Sequence, residues 1–99
     1  LAFLTETVPK DARPLGILGD LYRARAAEGD LKRAISSYHA ALELDCDLPE
    51  AHRGLGYAYM QEASKPKAVR CLQRYLELTP QAEDAEYVRT CIQRLTEEP

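Results

Sequence analysis

Residues 48–79 read LPEAHRGLGYAYMQEASKPKAVRCLQRYLELT, and they determine the fold class because they describe a helical hairpin that the chain contains twice. Apolar residues recur at the three- and four-residue spacing of amphipathic helices on either side of a turn at residues 64–66. At an offset of 37 and then 34, Leu18, Gly19, Tyr22, Ala34, Tyr38, Leu42 and Leu44 fall on Leu55, Gly56, Tyr59, Ala68, Leu72, Leu76 and Leu78. One hairpin is therefore repeated, with three extra residues in the first copy.

The composition is that of a single soluble globular domain, with 99 residues of which 45% are hydrophobic and 29% charged. Thirteen basic and sixteen acidic residues are mixed along the chain and give a net charge of −3. This argues against a nucleic-acid partner, because proteins that bind nucleic acid carry a basic patch. The chain has no run of about 18 uncharged apolar residues, so we expect no direct membrane insertion.

The hydrophobic period predicts five helices and no strand, so the expected fold class is all-α. The predicted helices span residues 12–28, 31–45, 49–62, 65–78 and 82–96. Asp11, Asp30 and Ser64 are the expected N-cap residues, and Gly29 is expected to end the first helix in the left-handed conformation. Because the turn at residues 29–30 is short, the first two helices should lie antiparallel.

The first helix should be buried along Leu15, Leu18, Leu21 and Tyr22, which recur at helical spacing. The three extra residues of the first copy fall in RARAAE, residues 23–28. We expect them to lengthen this helix by nearly one turn, so that its end projects beyond its neighbours.

Two copies of one short motif resemble a known repeat. They are Leu18-Gly19-x-x-Tyr22 with Ala34-x-x-x-Tyr38, and Leu55-Gly56-x-x-Tyr59 with Ala68-x-x-x-Leu72 and Pro80. Over residues 12–82 the chain thus resembles the tetratricopeptide repeat (TPR) family. The resemblance implies an α-α superhelix of antiparallel helix pairs in one domain, residues 1–99, with the end of a preceding helix (1–11), two full repeats (12–48 and 49–82) and a capping helix (83–99).

The small residues of the motif allow close packing of the paired helices. Gly19 and Gly56 on the first helix of each pair, and Ala34 and Ala68 on the second, remove side-chain bulk so that the paired helices can approach closely. We therefore expect the seam of each hairpin to run through these four positions.

The chain also departs from the family pattern. Leu15 and His52 stand where the family favours Trp, and Cys46 stands where it favours Pro. Tyr75 occupies a second small position, which is Ala41 in the first copy. Because Tyr is bulky, we expect it to push the fifth helix outward or to reorient it, so that the regular superhelix ends there.

Nothing in the sequence points to catalysis, and we expect no cofactor and no bound metal. Cys46, Cys71 and Cys91 are spaced too widely for a metal knuckle or a redox pair, and are expected to be small hydrophobic residues in or near the helix packing. His39 is expected on a solvated face, and His52 in a half-buried packing role. No residue meets the requirements for a nucleophile with its base, so we expect no enzymatic activity.

The family binds peptide segments in a concave groove lined by the first helix of each pair, so the resemblance implies a protein or peptide partner. By the helical period this face carries Arg13, Gly16, Asp20 and Arg23, then Glu50, Arg53, Tyr57 and Met60, and then Asp84, Tyr87, Cys91 and Arg94. The candidate peptide-binding residues among them are Arg13, Asp20, Arg23, Glu50, Arg53, Tyr57, Met60, Tyr87 and Arg94. Aromatic residues and Arg contribute a large share of interface energy.

One alternative for the groove stays open, and one kind of ligand is not expected. Tyr57 and Tyr87 could serve only to cover neighbouring helices, as single surface aromatics often do. The family's clamp for a C-terminal carboxylate uses paired Asn side chains, and the chain contains no Asn, so recognition of a chaperone C-terminus is not expected.

The stretches LGDLYR, EGD, AHRGLG, RYLELTP and AEYVR also resemble bacterial TPR modules that follow Ste24-like zinc metallopeptidase domains. This implies a segment that positions substrates or partners for a neighbouring domain, since the metallopeptidase motifs themselves are absent from the chain. A further alternative is a structural segment that forms homo-oligomers through the open ends of the helix stack. The chain opens on LAFLTETVPKDA, with no signal peptide to read, which favours a fragment of a larger protein and leaves the cytoplasm and the periplasm both open.

Overall fold

The computed structural model describes residues 11–97, and within that range it contains five α-helices and no strand. The helices are α1 (Arg13–Arg25), α2 (Asp30–Leu44), α3 (Pro49–Gln61), α4 (Lys65–Leu78) and α5 (Ala85–Glu97). The predicted all-α class is confirmed. The helix end expected at residues 1–11 lies, except for Asp11, outside the described residues. No helix in residues 11–97 is long and apolar enough to cross a membrane.

Short turns fold the chain into two antiparallel hairpins, α1 with α2 and α3 with α4. The hairpins stack because α2 packs on α3, and α1 also contacts α3 directly, while α4 packs on α5. The first core cluster contains mainly small and aromatic residues: Ala12, Ala34, Tyr38, Ala41, Leu48, Ala51, Leu55, Ala58, Tyr59 and Ala68. A second core cluster joins α4 to α5 through Leu72, Tyr75, Val88 and Cys91.

Tyr38 of α2 holds three helices together. Its side chain is fully buried, and its ring passes so close to Gly19 of α1 and Gly54 of α3 that a Cβ atom on either glycine would overlap it. Its hydroxyl donates a hydrogen bond to the Asp20 carboxylate and accepts one from Nε of Arg23 at 3.3 Å. Burial, assisted by Asp20, raises the pKa of Tyr38 to about 12, so the hydroxyl remains a donor at neutral pH.

The glycines of the motif have the role predicted for them. Gly19 faces Tyr38, and Gly56 faces Leu72, which is the residue matched to Tyr38 in the second copy. A Cβ atom on Gly56 would lie 2.6 Å from Cδ2 of Leu72, too close for the present packing. Gly54 was not predicted, because the motif describes contacts within a hairpin and Gly54 makes room for a residue of the other hairpin.

The end of α1 differs from the prediction. The helix stops at Arg25, Ala26 adopts a left-handed φ of 55°, and Gly29, with a φ of 80°, is the N-cap of α2 instead of the end of α1. Both α1 and α3 contain 13 residues, so the expected longer and projecting first helix is wrong. The three extra residues are instead divided, because α1 ends one position later than α3, the turn at residues 26–29 is one residue longer than the turn at residues 62–64, and α2 begins one position earlier than α4.

The reason is Asp30, which is the first residue of α2 and not its N-cap. Its carboxylate accepts hydrogen bonds from the Ala27 amide at 3.0 Å, from Nε of Arg25 at 2.6 Å and from a terminal nitrogen of Arg33 at 2.9 Å. The hydrogen bond from Arg25 outweighs burial and holds the pKa of Asp30 well below its usual range. Asp30 itself is fully buried, but the side chains of Arg25 and Arg33 are 63% and 54% exposed, so water still screens both ion pairs.

The start of α5 differs from expectation, whereas α4 begins at Lys65 as predicted and lacks only the capping hydrogen bond. α5 begins at Ala85, later than predicted, because its amide donates to the Ala82 carbonyl at 3.0 Å in a turn. Ser64 is the N-cap residue of α4, but its hydroxyl donates to Glu62 at 3.0 Å and makes no capping hydrogen bond.

One face of α1 is left uncovered by the described residues. Ile17, Leu18 and Leu21 are 58%, 39% and 61% exposed, whereas Leu15 and Tyr22 pack against the core. The prediction that Leu18 and Leu21 are buried is therefore wrong. α1 meets its neighbours through its buried glycines, which leaves these three side chains, here called the outer face of α1, turned away from the core.

One methyl group added at Gly54 should destabilise the fold, whereas the same group at Gly16 should not. We expect Gly54→Ala to lower the free energy of unfolding by about 1–3 kcal/mol, because its Cβ would overlap the fixed ring of Tyr38. Gly16→Ala is the matched control, since its Cβ would lie at an ordinary 3.7 Å from Leu48, and Ala is favoured over Gly inside a helix by about 1 kcal/mol. Urea denaturation followed by circular dichroism measures both, and equal effects would contradict the role given to Tyr38.

Asp30→Asn should make the stability of the fold depend less on pH in the acidic range. A carboxyl group whose folded pKa lies below its unfolded value of about 4 stabilises the fold above that value, and loses the contribution as the pH falls toward the folded pKa. The wild type should therefore lose this contribution between about pH 5 and pH 2, while Asp30→Asn lacks it already at pH 7. Thermal denaturation across this range measures the difference. Asp47→Asn, which removes an exposed ion pair with Arg74, is the control, and parallel curves for the wild type and Asp30→Asn would refute the prediction.

Candidate functional site

The backbones of α3 and α5 are held apart, although their side chains meet. Cα atoms of α1 and α3 come within 8 Å of each other, but no Cα atom of α3 lies that close to one of α5. Tyr75 of α4 is only 4% exposed and belongs to the core cluster between α4 and α5. The separation is in the direction expected from the bulk of Tyr75.

Three side chains tie the start of α5 to α3. The Tyr75 hydroxyl donates to the Asp84 carboxylate at 2.5 Å, and a terminal nitrogen of Arg53 donates to the same carboxylate at 3.2 Å. The Arg53 guanidinium also lies over the Tyr75 ring, 5.4 Å from its centroid. The hydrogen bond from Tyr75 lowers the pKa of Asp84, which keeps the carboxylate charged. We call Arg53, Tyr75 and Asp84 the Arg53 network.

Further along the two helices, aromatic rings meet across the gap. Tyr57 of α3 and Tyr87 of α5 pack edge to face, with ring centroids 6.4 Å apart and an interplanar angle of 66°. The guanidinium of Arg23 on α1 lies 5.3 Å from the centroid of the Tyr57 ring. Burial raises the pKa of Tyr57 to about 12, and the neighbouring Cys91 thiol raises the pKa of Tyr87. Both tyrosines are therefore uncharged phenols at neutral pH.

A cleft of about 390 Å³ opens between the ends of α3 and α5. This α3–α5 cleft is lined by Met60, Tyr87, Thr90, Cys91, Arg94 and Leu95. It adjoins a depression of about 290 Å³, the Arg23 depression, which is lined by Arg23, Tyr57, Met60, Gln61 and Tyr87. Met60 and Tyr87 belong to both, so one continuous groove runs from Arg23 on α1 to Arg94 on α5.

The structure brings five of the predicted groove residues together along this groove: Arg23, Tyr57, Met60, Tyr87 and Arg94. Two others are committed to the fold. Asp20 accepts the hydrogen bond of Tyr38, and Arg53 is held in the Arg53 network. Arg13 is paired with Asp11 at 2.7 Å, and neither Arg13 nor Glu50 lines the cleft or the depression.

Gln61, Thr90 and Leu95 line the groove but were not predicted. Each is the sequence neighbour of a residue on the face chosen from the helical period, which describes a narrow stripe along an ideal helix. Since α3 and α5 stand apart, positions on the flanks of that stripe are exposed as well. The width of the gap, which no spacing in the sequence reports, was the missing information.

Within residues 11–97 no group of three or more His, Cys, Asp or Glu side chains could hold a metal ion. His52 is half-buried, as expected, and its Nε2 lies 2.8 Å from the Cys46 carbonyl oxygen, to which it donates. Nε2 of the exposed His39 lies 3.0 Å from the Tyr59 hydroxyl. Cys46 is exposed, which corrects the expectation that all three cysteines lie in or near the packing.

Comparison with known proteins finds a family model that is similar to part of the chain. Residues 19–62, which run from within α1 to the end of α3, match the family model described as a TPR repeat. The search of curated proteins found no match for the chain. Neither comparison bears on the narrower resemblance to modules attached to metallopeptidases, which stays a prediction. Residues 19–62 are thus similar to a TPR repeat, and the two antiparallel helical hairpins agree with the predicted TPR-like fold.

Proposed function

We propose that the chain is a non-catalytic protein-interaction module that binds a peptide segment of its partner along the groove from Arg23 to Arg94. TPR repeats are in general protein-interaction modules, which supports the broader part of the proposal. The observation that carries the finer part is the α3–α5 cleft. Its volume of about 390 Å³ lies within the range of ligand pockets, and it combines apolar walls with few polar groups.

The two tyrosines do not fit the covering role equally well. Tyr57 is half-buried between Arg23 and Tyr87, so packing alone could account for it. Tyr87 is 61% exposed and shields little of the core. An exposed Tyr beside a cleft offers a large, rigid contact surface at a small cost in conformational entropy. Tyr87 therefore favours binding over mere coverage.

Tyr87→Ala should weaken peptide binding without unfolding the chain. We suggest selecting peptides from a random dodecapeptide library on the immobilised full chain, and measuring their dissociation constants by fluorescence anisotropy. Because a central aromatic residue typically contributes most of the energy of such an interface, Tyr87→Ala should raise the dissociation constant about tenfold. Circular dichroism should show an unchanged helical fold, since the side chain is mostly exposed.

Gln73→Ala is the matched control, because Gln73 is exposed on α4 and lines neither the cleft nor the depression. It should bind the selected peptides as the wild type does. Tyr87→Ala with wild-type affinity for every selected peptide, or a chain that selects no peptide at all, would overturn the groove assignment.

A second candidate function is self-assembly, and the outer face of α1 is the observation that favours it. Ile17, Leu18 and Leu21 place three exposed apolar side chains on one turn and a half of helix. Such a patch is a common site of association between copies of a chain.

This candidate predicts a molecular mass that rises with concentration in sedimentation equilibrium. Leu21→Lys should remove the rise, because it places a charge in the middle of the apolar patch. Leu44→Lys is the control, since Leu44 is 44% exposed but lies at the end of α2. A monomer mass at every concentration would eliminate self-assembly through this face.

A further inference from the structure

We propose that a pocket on the opposite side of α3 from the groove binds a small ligand through its phosphate group. The pocket, here called the Tyr59 pocket, has a volume of about 240 Å³ and lies where α2, α3 and α4 meet. It is lined by His39, Leu55, Tyr59, Lys67, Arg70 and Cys71. This inference does not depend on the proposed function, because the pocket and the groove share no lining residue.

The helical period places the pocket and the groove on different faces of α3. Tyr57 lines the Arg23 depression, and Tyr59 lines the Tyr59 pocket. Two residues along an α-helix correspond to a rotation of about 200°, so these two side chains point in nearly opposite directions. A ligand in the pocket therefore does not compete for space with a peptide in the groove.

Two cations stand at the pocket without a carboxylate partner. Lys67 and Arg70 are exposed and lie three residues apart on α4, so both are on one side of that helix. The Lys67 ammonium lies over the Tyr59 ring, 5.4 Å from its centroid. Neither cation forms an ion pair with any residue between 11 and 97, whereas Arg74, one turn further along α4, pairs with Asp47 at 2.7 Å.

The other groups at the pocket do not repel an anion. Burial raises the pKa of the Cys71 thiol, which therefore stays uncharged at neutral pH. Glu62 is near enough to help burial raise the pKa of Tyr59, but its carboxylate accepts a hydrogen bond from the Ser64 hydroxyl at 3.0 Å and does not line the pocket. The charged side chains that line the pocket are thus all basic.

The Tyr59 hydroxyl supplies a third donor. It lies 3.0 Å from Nε2 of His39. When Nε2 carries the hydrogen, His39 donates to the phenolic oxygen, and the phenolic hydrogen is free to donate to a ligand. The side chain of Tyr59 is only 9% exposed and Leu55 beside it is buried, so packing holds the hydroxyl in position.

A phosphate group fits these donors better than a carboxylate does. It carries close to two negative charges and three acceptor oxygens, so Lys67 and Arg70 together balance its charge. The donors come from two helices, which suits a tetrahedral group, whereas a carboxylate offers only two oxygens in one plane. The volume of the pocket lies below the usual range for drug-sized ligands, which favours a small ligand.

The test titrates the isotope-labelled full chain with inorganic phosphate and with glycerol 3-phosphate, and follows the backbone amides by NMR at constant ionic strength. We expect saturable shifts at the residues that line the Tyr59 pocket. Saturation by both probes assigns the site to the phosphate group itself, and saturation by the ester alone assigns it to a phosphate ester; either result supports the proposal. Acetate should give no saturable shift there.

Three substitutions test the donors. Arg70→Gln and Lys67→Gln should each raise the dissociation constant about tenfold, as loss of a charge-assisted hydrogen bond does. Tyr59→Phe keeps the ring and the net charge, and should raise the dissociation constant about fivefold through loss of one hydrogen bond. Because Tyr59→Phe changes no charge, its effect distinguishes a formed site from the general attraction of anions to a basic surface. Circular dichroism should show the same helical fold in all three variants.

Arg74→Gln is the matched control, because it removes a positive charge from the same helix and Arg74 does not line the pocket. It should leave the affinity for phosphate unchanged, as should Tyr87→Ala in the groove. No saturable shift at the pocket, equal saturation by acetate, wild-type affinity of Tyr59→Phe, or equal affinities of Arg70→Gln and Arg74→Gln would overturn the phosphate site. None of these results would affect the peptide groove, which is tested separately.

Discussion

The packing of Tyr38 between two glycines sets the geometry of the first three helices. With no Cβ atom on Gly19 or Gly54, the ring fills the space where α1, α2 and α3 converge. A buried phenol would be costly without partners, and Asp20 and Arg23 supply them. Arg23 also lies over the ring of Tyr57, so the hydrogen bonds of the core orient one of the cations of the groove.

Tyr75 is a second buried tyrosine with an Asp and an Arg as partners, but its effect on the fold is different. Its partner Asp84 lies in the turn just before α5, and its partner Arg53 lies on α3. The network therefore joins two helices whose backbones do not touch. The same chemistry that closes the seam around Tyr38 here spans a gap, and the α3–α5 cleft opens further along the same two helices.

The sequence predicts well those features that repeat or follow a helical period. The five helices could be found in this way, and so could Gly19 facing Tyr38 and Gly56 facing Leu72, because each leaves a regular pattern along the chain. The turn at residues 26–29 could not be found from the sequence, because the residues before it favour a helix. α1 ends there because Asp30 accepts hydrogen bonds from Arg25 and from the Ala27 amide, and these form only once both helices are present. The exposed Leu18 and Leu21 could not be found either, since spacing shows that residues share a face and not whether another element covers it.

The candidate site was predictable in part for the same reason. Tyr57, Met60 and Tyr87 follow from the helical period, but their arrangement into a cleft depends on the distance between α3 and α5. That distance follows from the packing of Tyr75 and from its bond to Asp84, which is a tertiary contact. Arg53 illustrates the limit, because it lies on the predicted face and its side chain belongs largely to the network behind it.

The beginning and the end of α5 have different roles, and this affects how such a module can change during evolution. Residues at its beginning anchor the helix through the Arg53 network, whereas Thr90, Arg94 and Leu95 line the cleft one to three turns later. Substitutions at these later positions change the lining of the cleft while the anchor keeps the helix in place. In the proposed binding role, a single mutation there would alter ligand preference and leave the scaffold intact.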